Sequence, residues 1–90
     1  MFTLNDFYIL RAIIDKDDKD KGIVKFKGTT KKEIQEKTKL SLPKITNALT
    51  DFINQGYVDY GLKIKQSKTY IVTQKGNEEL LKAGGKLKDE

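Results

Sequence analysis

The sequence contains no cysteine and no histidine among its 90 residues. Without cysteine there can be neither a disulfide framework nor a thiolate metal site. A secreted domain this small would more often carry disulfides, so their absence favours a cytoplasmic protein. Without histidine the chain also lacks the usual proton shuttle and a common ligand of transition metals. We therefore expect no catalytic activity, no metal site and no cofactor.

Long apolar runs are absent as well. No stretch is long enough to cross a membrane as a helix, and the N-terminus has no charged-then-apolar leader. Hydrophobic residues make up 37% of the chain and charged residues 34%, which predicts a modest core. Length and composition together predict a single domain over residues 1–85, followed by a frayed tail over residues 86–90.

An acidic loop over residues 15–22 resembles a calcium-binding loop only superficially. Counted from its first aspartate, the fifth position is Lys19, the sixth is Asp20 and the twelfth is Phe26. A calcium loop needs an oxygen ligand, a glycine and a bidentate glutamate at those positions. We therefore predict a solvated loop without a metal.

The net charge of +5 is unevenly distributed along the chain. Residues 25–75 hold eleven lysines and four acidic residues, a balance of +7, whereas the segments 1–24 and 76–90 each carry −1. Positive charge concentrated in this way indicates a polyanionic partner, most commonly nucleic acid. The alternative is that the lysines only keep the surface solvated.

The middle of the chain carries the pattern of two helices joined by a tight turn. Thr30 and Glu33 form a capping-box sequence at the start of the first helix. Ser41 is a good N-cap for the second helix, and Pro43 is tolerated in its first turn. Gly56 follows where a left-handed cap residue is favoured. The second helix has one apolar stripe: Ile45, Ala48, Leu49, Phe52 and Ile53.

Helix, short turn and helix is the helix-turn-helix signature. The segment 40–60, LSLPKITNALTDFINQGYVDY, is similar to the recognition-helix segment of winged helix-turn-helix proteins such as the MarR-type bacterial regulators. A weaker resemblance extends from Leu4 to Ala83. It implies DNA binding as a class and an α+β, mostly α, fold with the order α-β-α-α-β-β-α. It does not single out a subfamily.

The other elements of this fold can be assigned along the chain. Residues 23–27 fit the first small strand, with Phe26 in the core. Residues 57–65 and 69–73 alternate as two paired strands, which would form a wing with a basic tip. A last helix is expected to end at Ala83, before two glycines.

The first helix, capped by Thr3, carries two apolar stripes. One stripe is expected to face the core: Leu4, Phe7, Leu10 and Ile14. The other lies on the far side: Phe2, Ile9 and Ile13. The second stripe needs a cover, either from the C-terminal helix or from another subunit. Because the C-terminal helix is expected to be short, we predict a homodimer with Phe2, Ile9 and Ile13 at its interface.

A recognition helix turns short polar or basic groups outward, towards base edges and phosphates. The outward residues near the start of the second helix of the motif are predicted to contact DNA: Pro43, Lys44, Thr46, Asn47 and Thr50. Asn47 can form a two-pronged pair with adenine, and Lys44 can reach guanine or phosphate. Thr46 or Thr50 can contact a thymine methyl or a phosphate. The alternative for each is a solvated polar side chain.

Two further groups of residues flank that helix. Lys31 and Lys32 lie in the first turn of the preceding helix, where free amides also favour a phosphate. The resemblance implies that the wing contacts the adjacent minor groove or backbone through these residues: Lys63, Lys65, Gln66, Ser67 and Lys68. Charge on a hairpin can also serve only to protect an edge strand from aggregation.

The sequence therefore predicts sequence-specific binding of double-stranded DNA by a small, dimeric, cytoplasmic protein, most simply a transcriptional repressor. A centromere-binding adaptor of a plasmid or phage partition system, of the TubR type, is the first alternative, because such adaptors also lack a sensor domain. A phage replication-initiation module is another. A winged helix that binds proteins is the last, although its recognition helix would be apolar and this one is polar.

Overall fold

The computed structural model describes residues 3–15 and 17–88, with side chains described as far as Lys82. Its elements in chain order are α1 (Leu4–Ile13), a 3₁₀ turn (Lys25–Lys27), α2 (Lys31–Thr38), α3 (Leu42–Gln55), β1 (Val58–Tyr60), β2 (Tyr70–Val72) and α4 (Gln74–Lys88). The two strands pair antiparallel, with Asp59 opposite Ile71. A helix, a helix-turn-helix pair, a hairpin and a closing helix make a winged helix-turn-helix, so the predicted fold is confirmed. None of the described helices is long and apolar enough to span a membrane.

The caps predicted for the helix-turn-helix are all present. The Glu33 amide donates to the Thr30 hydroxyl, and the Thr30 amide donates to the Glu33 carboxylate, each at 3.2 Å. The Lys44 amide donates to the Ser41 hydroxyl at 3.4 Å and so closes the first turn of α3. Gly56 ends α3 at φ +83°, where a residue with a Cβ would be strained. Because these signals are local, the bounds of both helices are close to those predicted.

The core lies where α1, α2 and α3 meet the hairpin and α4. The apolar stripe of α3 faces it as predicted, because Ile45, Ala48, Leu49 and Phe52 are all buried. Its other buried side chains come from every other helix and from both strands: Phe7, Ile9, Leu10, Ala12, Ile13, Ile34, Val58, Tyr70, Val72 and Leu80. The opposite side of α3 is left facing outward.

The second stripe of α1 is part of this core, which corrects the predicted dimer surface. Ile9 is 1% exposed and Ile13 is 0% exposed within the single chain. Helix α1 packs against α2, α3, β2 and α4. These contacts cover both apolar stripes except at Leu4, which was expected to face the core and is 50% exposed. Ile9 and Ile13 therefore offer no surface to a second subunit, and that prediction is wrong. Phe2, the third member of the stripe, lies outside the described residues.

Helix α4 is longer than the sequence predicts. It continues through the two glycines after Ala83 and ends at Lys88, so it includes part of the expected frayed tail. Each glycine costs a helix interior only about 1 kcal/mol relative to alanine, which does not force an end. Helix α4 packs against α1 and buries Leu80 in the core, which corrects the expectation that it is too short to cover α1.

The predicted first strand, residues 23–27, is absent. Its second half forms the 3₁₀ turn (Lys25–Lys27), and Phe26 is 72% exposed instead of buried. Among the described residues before α2, Thr29 alone forms a β-bridge with the sheet, by exchanging backbone hydrogen bonds with Tyr70. The Gly22 carbonyl also accepts a hydrogen bond from the Val72 amide at 2.7 Å. The third strand of the wing is therefore reduced to a single bridge.

The acidic loop explains why this segment turns instead of extending. The Gly22 amide donates to the Lys27 carbonyl at 2.7 Å, which closes the chain into a loop. The Lys27 ammonium then lies 2.9 Å from the Asp18 carboxylate. These contacts join residues that are not neighbours in the sequence. The alternation of apolar and basic residues, which predicted a strand here, could therefore not reveal them.

The hairpin closes in a two-residue turn at Lys65 and Gln66. The Ile64 amide donates to the Ser67 carbonyl at 3.0 Å, and the Ser67 amide donates back at 2.8 Å. Both turn residues have positive φ, 48° at Lys65 and 71° at Gln66. The regular strands are shorter than predicted, but the basic wing tip lies where the sequence indicates.

Candidate nucleic-acid interface

The outward face of α3 brings together the residues predicted for base contact. Pro43, Lys44, Asn47 and Thr50 are exposed, and Thr46 is half-buried at the edge of this face. The Thr50 hydroxyl donates to the Thr46 carbonyl at 2.9 Å, so its proton is used within the helix. Thr50 can still accept a hydrogen bond or present its methyl group. Asn47 and Lys44 make no such contact among the described residues, so both are free to meet a base edge.

The N-terminus of α2 does not offer free backbone amides from its capping box to a phosphate. Its capping box already uses the amides of Thr30 and Glu33, and it places a carboxylate at the helix N-terminus. The Lys21 ammonium lies 2.9 Å from that carboxylate. A phosphate at this end would therefore have to be bound by the side chains of Lys31, which is half-buried, and Lys32, which is exposed.

The carboxylate of Glu33 stays ionised in this setting. Burial alone would raise the pKa of Glu33, but the hydrogen bond from Lys21 and the amide of Thr30 outweigh it. The pKa of Glu33 is therefore held below its ordinary value. The cap and its ion pair stabilise the start of α2 at neutral pH.

The wing tip is exposed throughout, at Lys63, Lys65, Gln66, Ser67 and Lys68. Lys68 differs from the others because its ammonium lies 5.7 Å from the centre of the Tyr60 ring. That cation–π contact gives Lys68 an intramolecular partner that phosphate would have to replace. Lys63 and Lys65 have no ion-pair partner in the described part of the chain.

The lysines of this surface differ from three lysines elsewhere in the fold that form ion pairs. Lys21, Lys27 and Lys82 are paired with carboxylates at 2.9, 2.9 and 3.8 Å. None of the six predicted contact lysines has an acidic partner within 4.0 Å among the described residues. Five of them also lack a cation–π contact there: Lys31, Lys32, Lys44, Lys63 and Lys65. The positive charge of the helix-turn-helix and wing is thus left without intramolecular neutralisation.

Two lysines counted in the basic excess serve the fold instead. The Lys37 ammonium donates to the carbonyls of Ala12 and Ile14, at 3.1 and 3.3 Å, at the end of α1. The Lys75 ammonium donates to the Gln55 carbonyl at 2.9 Å, at the end of α3. Cations are favoured at helix C-termini. The sequence count therefore overstates the positive charge that the helix-turn-helix and wing could offer to DNA.

Two exposed residues beside α3 were not predicted. Lys39 lies in the turn of the motif at φ 62°, and Leu42 is 45% exposed at the first position of α3. The spacing from Leu42 to Ile45 matches the apolar stripe, so periodicity would place Leu42 inward. No local signal reveals that the core ends before it. For Lys39 the only sequence signal is its charge within a short turn.

No protein-family model matches the sequence, and a search of curated proteins finds no match. Two of the solved structures that are similar to this chain are TubR structures. The solution structure of the DNA-binding TubR fragment from Clostridium botulinum has a TM-score of 0.68 and 25% identity, covering 92% of this chain and 98% of that chain. The structure of a type III plasmid segregation TubR has a TM-score of 0.61 and 22% identity, covering 92% and 90%. The chain has the winged helix-turn-helix fold, and it is similar to TubR structures over nearly its whole length.

Proposed function

We propose that the protein binds double-stranded DNA, with α3 in the major groove and the wing on the adjacent minor groove or backbone. The observation that carries this proposal is the set of five contact lysines with neither an acidic nor an aromatic partner among the described residues. Such lysines release counterions when they meet phosphates, which is the main source of affinity for DNA. The exposed amide of Asn47 and the cation of Lys44 supply groups that can read base edges.

We further propose that this DNA binding serves plasmid or phage partition, as in a centromere-binding adaptor. Support comes from the two similar structures, one described as a DNA-binding TubR fragment and the other as a plasmid segregation TubR. Transcriptional repression, which the sequence favours, would use the same contacts. The two roles differ in how their binding sites are arranged along DNA.

Genome-wide footprinting tests this proposal. A partition adaptor should protect an array of closely spaced repeats at one locus. Protection of isolated operators next to promoters would contradict the partition role and leave DNA binding intact. If no footprint formed at all, both proposals would be wrong.

We propose that the protein acts as a homodimer, through a surface other than the one predicted. Two large apolar side chains remain exposed on helices that pack together, Leu4 at 50% on α1 and Leu81 at 70% on α4. Exposed apolar groups of this kind often mark interfaces. A two-fold pair would also present two α3 helices to successive major grooves.

Light scattering of Leu81→Glu tests the pairing. Because Leu81 is exposed, the variant should fold normally and run as a monomer where the wild type is a dimer. Ile23→Glu is the matched control, since Ile23 is 40% exposed on the loop before the 3₁₀ turn, and it should remain a dimer. A dimeric Leu81→Glu, or a wild type that is monomeric at all concentrations, would contradict the proposal.

We propose no catalytic activity for the protein, because the sequence has neither histidine nor cysteine. A DNA-binding role is exercised in the cytoplasm, together with the DNA. A protein-binding winged helix is less well supported, because the outward face of α3 is polar.

A further inference from the structure

A groove of about 520 Å³ lies between the second half of α1 and the C-terminal end of α2. Its volume falls within the range of small-molecule sites, roughly 300–1,000 Å³. Six residues describe its character: Tyr8, Arg11, Ala12, Ile14, Asp15 and Lys37. None of them belongs to the DNA-binding surface proposed above, so a ligand in this groove would not depend on DNA binding.

Arg11 supplies an unpaired cation to this groove. It is the one arginine among 18 basic residues, and its side chain is exposed. Asp15 lies four residues further on and lines the same groove, yet no ion pair joins these two described residues. The planar fork of a guanidinium matches a carboxylate in two-pronged geometry. Arg11 is thus available to an external anion.

Lys37 supplies a second cation, held in a fixed position. Its ammonium donates to the carbonyls of Ala12 and Ile14, which uses two of its three protons. The third proton is left for a ligand. Unlike a free surface lysine, Lys37 therefore loses little conformational entropy when it meets an anion.

The remaining lining decides the kind of anion. The Tyr8 ring, Ala12 and Ile14 give the groove an apolar side that an inorganic ion could not use. The Asp15 carboxylate, which accepts from the Asp17 amide at 2.9 Å, places one negative charge at the edge. That charge opposes a doubly charged anion more than a singly charged one. We propose that this groove binds a small organic monocarboxylate with an apolar body, its carboxylate between Arg11 and Lys37.

Amide chemical shifts of the ¹⁵N-labelled protein, titrated with benzoate, test this site. Benzoate should shift amides of residues 8–15 and 37–38 in a saturable manner. Three control ligands separate the features of benzoate. Acetate has the carboxylate but no aromatic ring, and benzyl alcohol has the ring but no negative charge. Inorganic phosphate has no apolar part and carries more negative charge than benzoate. Each of these three should bind at least about tenfold more weakly than benzoate.

Arg11→Gln should weaken benzoate binding by about tenfold or more, because it removes the charged fork and keeps a polar side chain of similar length. Lys19→Gln, an exposed lysine outside the groove, is the matched control and should bind as the wild type does. Melting curves of both variants would confirm that they fold. Shifts scattered over the lysine surface, equal binding of phosphate or acetate, or an unchanged Arg11→Gln would each overturn the proposal.

Discussion

Thr29 and Tyr70 exchange two backbone hydrogen bonds, of 2.9 and 2.8 Å, that join the start of the helix-turn-helix to the second strand of the wing. The Thr29 side chain is fully buried, and its hydroxyl donates to the Ile13 carbonyl at the end of α1. One residue thus connects α1, α2 and the hairpin. The lysines at the start of α2 and those on the wing are therefore carried by one connected frame.

Replacing Thr29 with valine should destabilise the fold by about 1–3 kcal/mol. Valine keeps the shape of the side chain but leaves the Ile13 carbonyl without this buried donor. Urea denaturation followed by circular dichroism measures the change. Thr50→Val is the control, because Thr50 is exposed, and it should stay within about 0.5 kcal/mol of the wild type. Equal effects of the two variants would contradict the role of the Thr29 hydroxyl.

The stabilising effect of Glu33 should disappear in acid. Burial acts to raise its pKa, but the contacts from Lys21 and Thr30 outweigh burial and hold the folded-state pKa below the ordinary value of 4.5. A carboxylate whose pKa is lower in the folded state than in the unfolded state stabilises the fold at any pH above its unfolded-state pKa. This stabilisation is lost as the pH falls through the folded-state pKa. Glu33→Gln should therefore be less stable than the wild type at pH 7, and the difference should narrow below a pH of about 4.5.

Urea denaturation at neutral and acid pH checks this dependence on Glu33. Glu36→Gln is the control, since Glu36 is an exposed acid of the same helix with no ion-pair partner in the described residues. It should have little effect at either pH. A stability difference between wild type and Glu33→Gln that stays constant with pH would show that the ionised carboxylate does not stabilise the start of α2.

The wing turn should be stabilised by glycine. Gln66 has φ 71°, a left-handed conformation that costs a residue with a Cβ about 1 kcal/mol and that glycine adopts freely. Gln66→Gly should therefore raise the melting temperature. Gln66→Ala keeps the Cβ and should give no gain. A lower melting temperature for Gln66→Gly than for Gln66→Ala would mean that this turn is not strained.

The sequence was sufficient to predict the helix-turn-helix because its signals are local. Thr30 and Glu33 lie three residues apart, and Ser41 and Gly56 border α3 directly. The apolar stripe of α3 likewise fixes which residues face outward. The outward face of α3, which we propose contacts DNA, could thus be assigned from spacing except at Leu42.

Features that depend on distant contacts could not be predicted in this way. Burial of Ile9 and Ile13 depends on how α2, α3, β2 and α4 pack around α1, which periodicity within α1 does not reveal. Phe26 is exposed within a 3₁₀ turn, where the Gly22 amide bonds to the Lys27 carbonyl and closes the chain into a loop. The Lys37 ammonium donates hydrogen bonds to carbonyls 25 and 23 residues earlier in the chain. The sequence alone could therefore not show that Lys37 should be left out of the basic excess of the candidate site.

The salt dependence of affinity for duplex DNA tests the central claim most directly. If the five unpaired lysines each meet a phosphate, the logarithm of the association constant should fall with the logarithm of salt concentration at a slope of about −4.5 per subunit. Lys32→Gln and Lys44→Gln should each make that slope shallower by about one, whereas Lys19→Gln should not change it. An affinity independent of salt, or the same slope in all three variants, would contradict DNA binding through this surface.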